Sequence, residues 1–367
     1  MPNLASDARV RAARLESHAL RGGMPTITAA VRRLGAVQAQ DFTAAKWVLG
    51  ARVPGSVAAD VDAAIESREV VRSWPMRGTL HLLPTEMLRP ILAITGPRVL
   101  QRAATTHRVL ELDAAVYRRA RTVAERELAG RSLSREELLA TWESAGISTK
   151  GQRGYHLIWW LAQDAVLCCG PVEGRGQRFV LLDDWAPDSS ERPGRDETLG
   201  RLFASYTAGH GPVTVRDFAW WAGLTLGDAR TALAAAGDRV VPFDDDRVVA
   251  ADSGWPADIS STTPRTSRRF ALAAFDEYYL GYTDRAPIGD PRHANRIVPG
   301  SNGVFQPILV NAKGVVDGVW RVARSRGAAS VELDGFERSI DPSEYATALS
   351  RWARFQGERV TSIAATA

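Results

Sequence analysis

Val70-Val-Arg-Ser-Trp74 and Gly78-Thr-Leu-His-Leu-Leu83, separated by Pro75-Met-Arg77, decide the fold. Both runs are rich in β-branched and aromatic residues, and a proline-led turn divides them. They therefore read as the two strands of a small hairpin. What precedes them reads as helical. Ile27, Ala30, Val31 and Leu34 recur at i, i+3, i+4 and i+7, the stripe of a buried helix face. Phe42-Thr-Ala-Ala-Lys-Trp47 opens a second helix behind Asp41, and Val57, Val61, Ala64 and Ile65 mark a third. A further helix at about 4–22 carries Leu4, Val10, Leu15 and Leu20 and ends at Gly22-Gly23. Helices that run into a short hairpin make a helix-turn-helix with a wing.

Working outward, the pattern recurs. Helices are predicted at about 84–94, 97–110 and 113–129, with Ser134-Arg-Glu-Glu137 as a capping box for the next and another at 151–163. Strands at 165–169 and 178–182 then enclose a Gly/Arg-rich loop at 170–177. A third set has a helix at 199–206, a helix capped by Thr214-Val-Arg-Asp217 that runs through Trp221, one at 226–236, and strands at 239–243 and 247–250 around Asp244-Asp-Asp246. The Ser/Pro/Thr-rich run 260–267 reads as a linker. Beyond it strands are predicted at 270–275, 304–310, 315–321 and 330–333, with Asn311-Ala-Lys-Gly314 as a hairpin turn. A closing helix at about 342–356 bears Tyr345, Leu349, Trp352 and Phe355. The fold class is α+β, mainly helical: three tandem winged-helix units, at 1–110, 111–190 and 191–259, and a C-terminal β-rich region at 260–367.

Composition narrows the function. With 45% hydrophobic and 24% charged residues the chain is that of a globular protein, and no apolar run reaches the roughly 18 residues of a membrane span. Met1-Pro-Asn-Leu-Ala-Ser-Asp-Ala-Arg9 has no apolar signal core, so a cytoplasmic location is expected. Cys168 and Cys169 are adjacent and read as a buried pair on a strand, since neighbours do not meet disulfide geometry. The six histidines, 18, 81, 107, 156, 210 and 293, lack ligand spacing, so no metal and no cofactor is expected. Net charge is only +4, yet lysine supplies just three of 46 basic residues. A GC-rich genome accounts for an arginine excess; so does a surface built for phosphate forks and grooves.

Gly35-Ala-Val-Gln-Ala-Gln-Asp41 is the candidate centre of chemistry. Residues i and i+2 lie about 200° apart on a helix but on one face of an extended segment. Gly35 stops one helix and Asp41 caps the next, so the segment between them is extended, with Val37 and Ala39 inward and Gln38 and Gln40 outward together. From spacing alone, two solvated glutamines on a connector fit the same residues.

Other features have blander readings. The loop 170–177 lacks GxxxxGK[ST] and joins two strands, so it is a wing whose Arg175 and Arg178 reach backbone phosphates rather than a nucleotide site. Asp244-Asp-Asp246 lacks the ligands of a calcium loop and would repel DNA. Trp159-Trp160 and Trp220-Trp221 sit among apolar helix residues and read as core, and His81 as a hydrogen-bonded structural histidine. Phe275-Asp-Glu-Tyr-Tyr-Leu-Gly-Tyr-Thr-Asp-Arg285 fits an internal Arg–Asp clamp as well as a catalytic role.

Four motifs, in order over most of the chain, now carry a resemblance. Gly35-Ala-Val-Gln-Ala-Gln40, Ser73-Trp-Pro-Met-Arg-Gly-Thr-Leu-His-Leu-Leu83, Phe275 to Arg285, and Asn302-Gly-Val-Phe-Gln-Pro-Ile-Leu-Val310 resemble the tandem winged-helix DNA glycosylases of the AlkZ/YcaQ type. That resemblance implies a C-shaped, DNA-embracing body and excision of bulky or crosslinked N7-alkylguanine. It places the catalytic Gln-aliphatic-Gln motif on Gln38 and Gln40. With Ala39 between them and no aspartate in second place, the chain looks closer to the azinomycin-resistance branch. The 304–321 hairpin is offered as a groove probe. Candidate DNA contacts are Lys313, Arg285, Arg292 and Arg296, beside Arg175 and Arg178. A monomer acting on duplex DNA is expected, as a metal-independent monofunctional hydrolase, since Schiff-base chemistry needs an amine and none of the three lysines stands in a recognisable motif. The competing reading is a non-catalytic winged-helix DNA binder or transcription regulator.

Overall fold

The structure, a computed structural model, describes residues 4–174, 176–187, 193–255, 268–325 and 328–366. The run 260–267, read as a linker, and Arg175 lie outside the described residues. The chain is mixed α/β and about half helical. It forms two compact units, Asp62–Thr198 and the combination of Met1–Val61 with Leu199–Ala367.

In the unit Asp62–Thr198, strands Thr79–Pro84, Val70–Met76, Leu167–Glu173 and Gly176–Leu181 lie side by side in that order, antiparallel throughout. The first hairpin is tighter than the sequence implies. Val70–Met76 continues through the proline, and the turn is only Arg77-Gly78, with φ of 55° and 74°. Two positive φ values suit the right-handed twist of a two-residue hairpin. The register shifts between Ser73 and Met76, which accommodates Pro75, a residue with no N–H for the ladder. Cys168 and Cys169 are buried free thiols on a strand, as expected; burial pushes that of Cys169 up to about 11.

Helices Ala114–Leu128, Arg135–Ser144 and Arg153–Gln163 precede the second hairpin, and the Ser134/Glu137 capping box is formed. Their core holds Trp142, whose Nε1–H donates to Ala120 O at 3.0 Å, and Trp159. Trp160 is stacked between His107 and Tyr117. His81 is buried with Nδ1 2.8 Å from Thr79 O, the structural histidine expected. One expectation fails: 84–94 and 97–110 are a single helix, Thr85–Val109, with Pro90 and Pro97 inside it. Leu88, Ile91, Leu92 and Thr95 form a continuous buried face, whose packing offsets a local proline penalty of about 3 kcal/mol.

In the other unit the N-terminal helix ends at Ser17 rather than near residue 22. Helices Ile27–Leu34 and Phe42–Gly50 follow. After residue 198 come the helix that ends at His210, then Val215–Ala222 and Leu226–Ala236, and the hairpin Val240–Pro242 with Val248–Ala250. The order of three helices and a hairpin is that read from the sequence. Five strands form the C-terminal sheet in the order Phe270–Leu272, Ile308–Val310, Val316–Ser325, Ala328–Gly335 and Arg359–Ala365. The last strand has no counterpart in the sequence reading. It runs parallel to Ala328–Gly335, and the closing helix Ala346–Gln356 is the crossover that a parallel pair requires.

Candidate active site

Gln38 and Gln40 are placed by the two helix ends around them. Ile27–Leu34 starts with Thr26 Oγ1 accepting from Ala29 N–H and stops at Gly35, with φ of 76° and its N–H on Val31 O. A Cβ on Gly35 would stand 3.2 Å from Ser205 Cβ and 3.6 Å from the Trp221 ring, so the turn is pressed onto two later helices. A Cβ on Gly209 would come within 2.5 Å of Arg33 O, so the helix that ends at His210 approaches as closely as glycine permits. On the far side Asp41 Oδ1 accepts from Ala44 N–H at 2.9 Å and starts Phe42–Gly50. The two-residue strand Val37–Gln38 lies between.

Val37 and Ala39 are fully buried, as the alternation predicts, but Gln38 is not outward with Gln40: it is 9% exposed, whereas Gln40 is exposed. A carboxylate lies against its backbone. Gln38 N–H donates to Glu277 Oε1 at 3.0 Å, and Glu277 is fully buried. Glu277 Oε2 accepts from Trp221 Nε1–H at 3.0 Å and lies 3.2 Å from His210 Nε2. The opposite ring nitrogen, His210 Nδ1, faces Tyr206 O at 3.0 Å, a carbonyl that only accepts, so Nδ1 carries hydrogen.

A second buried network adjoins the first. Arg52 grips Asp276 with two hydrogen bonds, of 2.8 and 3.0 Å, and its Nη2 is 3.2 Å from His18 Nδ1. His18 Nε2 is 2.8 Å from Tyr282 Oη, which donates to His210 O at 2.6 Å. Since the tyrosine hydrogen is used there, His18 donates from Nε2 and accepts at Nδ1, a neutral imidazole. Burial first, then His210, Arg52 and Arg14, holds its pKa well below the ordinary histidine value. Asp217 takes hydrogen bonds from Thr283 N–H and hydroxyl and from Thr214 N–H, which hold its pKa down although burial pushes it up. Residues 276–282 are thus a buried hub, and an Arg–Asp clamp exists there with Arg52, from outside the segment, as its arginine.

Of the expected DNA contacts, five fall among the described residues. Lys313 is exposed on the turn after Ile308–Val310, where its carbonyl accepts from Arg11 Nε. Arg285 donates to Tyr279 O at 2.8 Å and lies over the Trp220, Tyr279 and Phe305 rings. Arg178 is paired with Glu137 and Glu173, Arg292 with Asp290 and Glu337, and Arg296 with Asp334. Asp290, His293 and Glu337 bring three ligand-type atoms within 4.8 Å, a grouping missed in the sequence because Glu337 is distant along the chain. Arg292 bonds both carboxylates and brings that of Asp290 down to about 2, so an arginine already supplies their counter-charge.

Sequence reasoning missed Glu277, His210 and Trp221 as a set. Its one usable signal was an acid inside the apolar, aromatic run 275–282, since buried carboxylates are almost always paired.

A family model described as DNA glycosylase AlkZ-like matches residues 31–355. An interstrand DNA cross-link repair glycosylase of Streptomyces sahachiroi is 26% identical over 320 residues, 81% of this chain and 82% of that protein. The solved structure of the Streptomyces sahachiroi DNA glycosylase AlkZ matches with a TM-score of 0.80 at 23% identity, covering 98% of this chain and 99% of that one. The two share one fold.

Proposed function

The chain belongs to the AlkZ-like family of DNA glycosylases, hydrolases of N-glycosyl bonds, and from that premise we propose that it excises bulky N7-alkylguanine from duplex DNA, with Gln38 and Gln40 as the catalytic pair. The observation that carries this reading is the placement of the pair. Both glutamines fall inside the family match, on a connector capped at each end, one nearly buried and the other open to solvent.

The chemistry suits neutral amides. Alkylation at N7 makes guanine cationic, so it departs with the electron pair of the C1′–N9 bond without needing a strong acid. What remains is to orient water toward C1′ and to stabilise an oxocarbenium-like sugar. A glutamine oxygen accepts a hydrogen bond from the water and faces developing positive charge, while its NH2 fixes the geometry. So weak a catalyst discriminates by the reactivity of the substrate and leaves unmodified guanine alone.

The relative named for interstrand cross-link repair supports extending the substrate to crosslinks, in repair or in self-resistance to an alkylating antibiotic. In this reading the protein is a cytoplasmic monomer built of tandem winged-helix units. The 304–321 hairpin and residues Lys313, Arg285, Arg292, Arg296, Arg175 and Arg178 contribute to the DNA surface. Excision is metal-independent and leaves an abasic site.

The decisive experiment is single-turnover release of base from DNA carrying N7-alkylguanine. The expected result is release by the intact protein that persists in EDTA, with a loss of about tenfold to a thousandfold for Gln38→Ala or Gln40→Ala. Undiminished release by the doubly substituted protein, at unchanged melting temperature, overturns the assignment.

A further inference from the structure

We infer that Glu277 is a positioning residue for Gln38, and that His210 and Trp221 hold its carboxylate in place. This rests on the reading of the two glutamines as catalytic.

The strand Val37–Gln38 is two residues long, and a water-orienting amide must be held to a fraction of an ångström. A side chain 239 residues away restrains it through Gln38 N–H to Glu277 Oε1. Burial keeps water from competing for this bond, so the oxygen that accepts it stays in place.

Glu277 is restrained in its turn. Trp221 Nε1–H and His210 Nε2 both meet Oε2, so rotating the carboxylate away from Gln38 would break two further bonds. His210 is oriented by Tyr206 O, and a Cβ on Gly281 would come within 2.4 Å of its ring, so the imidazole fits only over glycine. Asp276 caps the short helix Glu277–Leu280 and is clamped by Arg52, which fixes the backbone from which Glu277 projects. The arrangement leads to the peptide of Gln38, and Glu277 itself is fully buried.

A carboxylate accepts at both oxygens, whereas a primary amide accepts at one. In Glu277→Gln the NH2 must face either Gln38 N–H or Trp221 Nε1–H, both of them donors, and one side of the grip is lost with almost no change in volume.

The test is single-turnover excision of N7-methylguanine from duplex DNA, with DNA affinity and melting temperature measured in parallel. Glu277→Gln is expected to slow excision about 100-fold while DNA affinity stays within about twofold. Because Glu277 acts through Gln38, adding Glu277→Gln to Gln38→Ala should slow the single variant no further. His210→Gln keeps a hydrogen-bonding group in reach of Glu277 and should recover part of the rate that His210→Phe loses, a rescue that a space-filling role does not give. Should Glu277→Gln fail to fold, the His210 pair and Trp221→Phe carry the test. An undiminished rate in Glu277→Gln, or a penalty that multiplies with that of Gln38→Ala, overturns the inference. If the glutamine variants themselves keep the full rate, it is the catalytic reading that fails; if they lose it and the Glu277 and His210 variants do not, only the positioning role fails.

Discussion

Arg52 and Asp276 form a bidentate ion pair with both side chains fully buried, one residue before the glutamate that holds Gln38. Arg52 Nη1 also donates to Val48 O at 2.7 Å, and Nη2 meets His18, so the guanidinium joins the helix Phe42–Gly50 to the 275–285 segment.

Breaking that pair should be costly. Asp276→Asn leaves a buried guanidinium without its counter-charge, and Arg52→Met leaves a buried carboxylate. Each is expected to destabilise the protein by about 3–5 kcal/mol, while replacing both with apolar residues costs less than the sum. Urea unfolding of the two singles and the double checks this, and additive losses would contradict it.

Stability should decline in mild acid. His18 faces Arg52, Arg14, Arg33, His210, Tyr278 and Tyr282, and its folded pKa lies well below the ordinary 6.5. Below 6.5 the unfolded chain therefore takes up a proton that the folded chain refuses. The contribution of His18 is fully present above that value and is lost as pH falls, by up to about 1.4 kcal/mol per pH unit. His107 and His156 are shifted the same way, by burial first, and add to the slope. His18→Gln should lower stability near neutrality but flatten the decline between about pH 5 and 7.5. An unchanged slope would show that His18 does not carry it.

The basic residues should separate by their present partners. Lys313 is exposed on its turn, whereas Arg178 and Arg296 are already bonded to carboxylates. Lys313→Ala is expected to weaken duplex binding equally for all sequences and to reduce the slope of log affinity against log salt by about 1. Arg178→Ala and Arg296→Ala should reduce that slope by less, because carboxylates already bonded to these guanidiniums compete with phosphate for them. The reverse ordering in a salt titration would assign the DNA surface to the paired arginines.

The connector 35–41 was legible because its determinants are local. Gly35 and Asp41 cap adjoining helices, and caps are written in the residues beside them. The Glu277 grip was not, since its four groups meet only after the chain has folded and none has a periodic signature. Thr85–Val109 was divided in two because local rules weigh Pro97 without the buried face formed by Leu88, Ile91, Leu92 and Thr95. Arg359–Ala365 escaped notice because it is an edge strand whose side chains are half-buried or exposed, so its residues alternate too weakly to announce it. The small hairpins and capping boxes, each set by residues within a few positions, were read nearly correctly.

Gln40→Asp is the substitution that separates the roles of the pair. Gln40 is exposed and precedes the Asp41 cap, so a shorter acid there leaves the Gln38–Glu277 bond and the packing of Val37 and Ala39 intact. A carboxylate is a stronger base than an amide and a better partner for a cationic sugar, so excision should persist at a level set by the reach of the shorter side chain. Because the aspartate must be ionised to act, its rate should fall as pH drops through the carboxylate range near 4, a dependence that a neutral amide does not impose. Gln38→Asp differs: it puts a second carboxylate beside the buried Glu277, and like charges there favour loss of folding over gain of chemistry. Single-turnover rates across pH for the two variants, with melting temperatures alongside, test the asymmetry. Equal behaviour of Gln38→Asp and Gln40→Asp would mean that the two glutamines occupy equivalent environments, contrary to the burial of one and the exposure of the other.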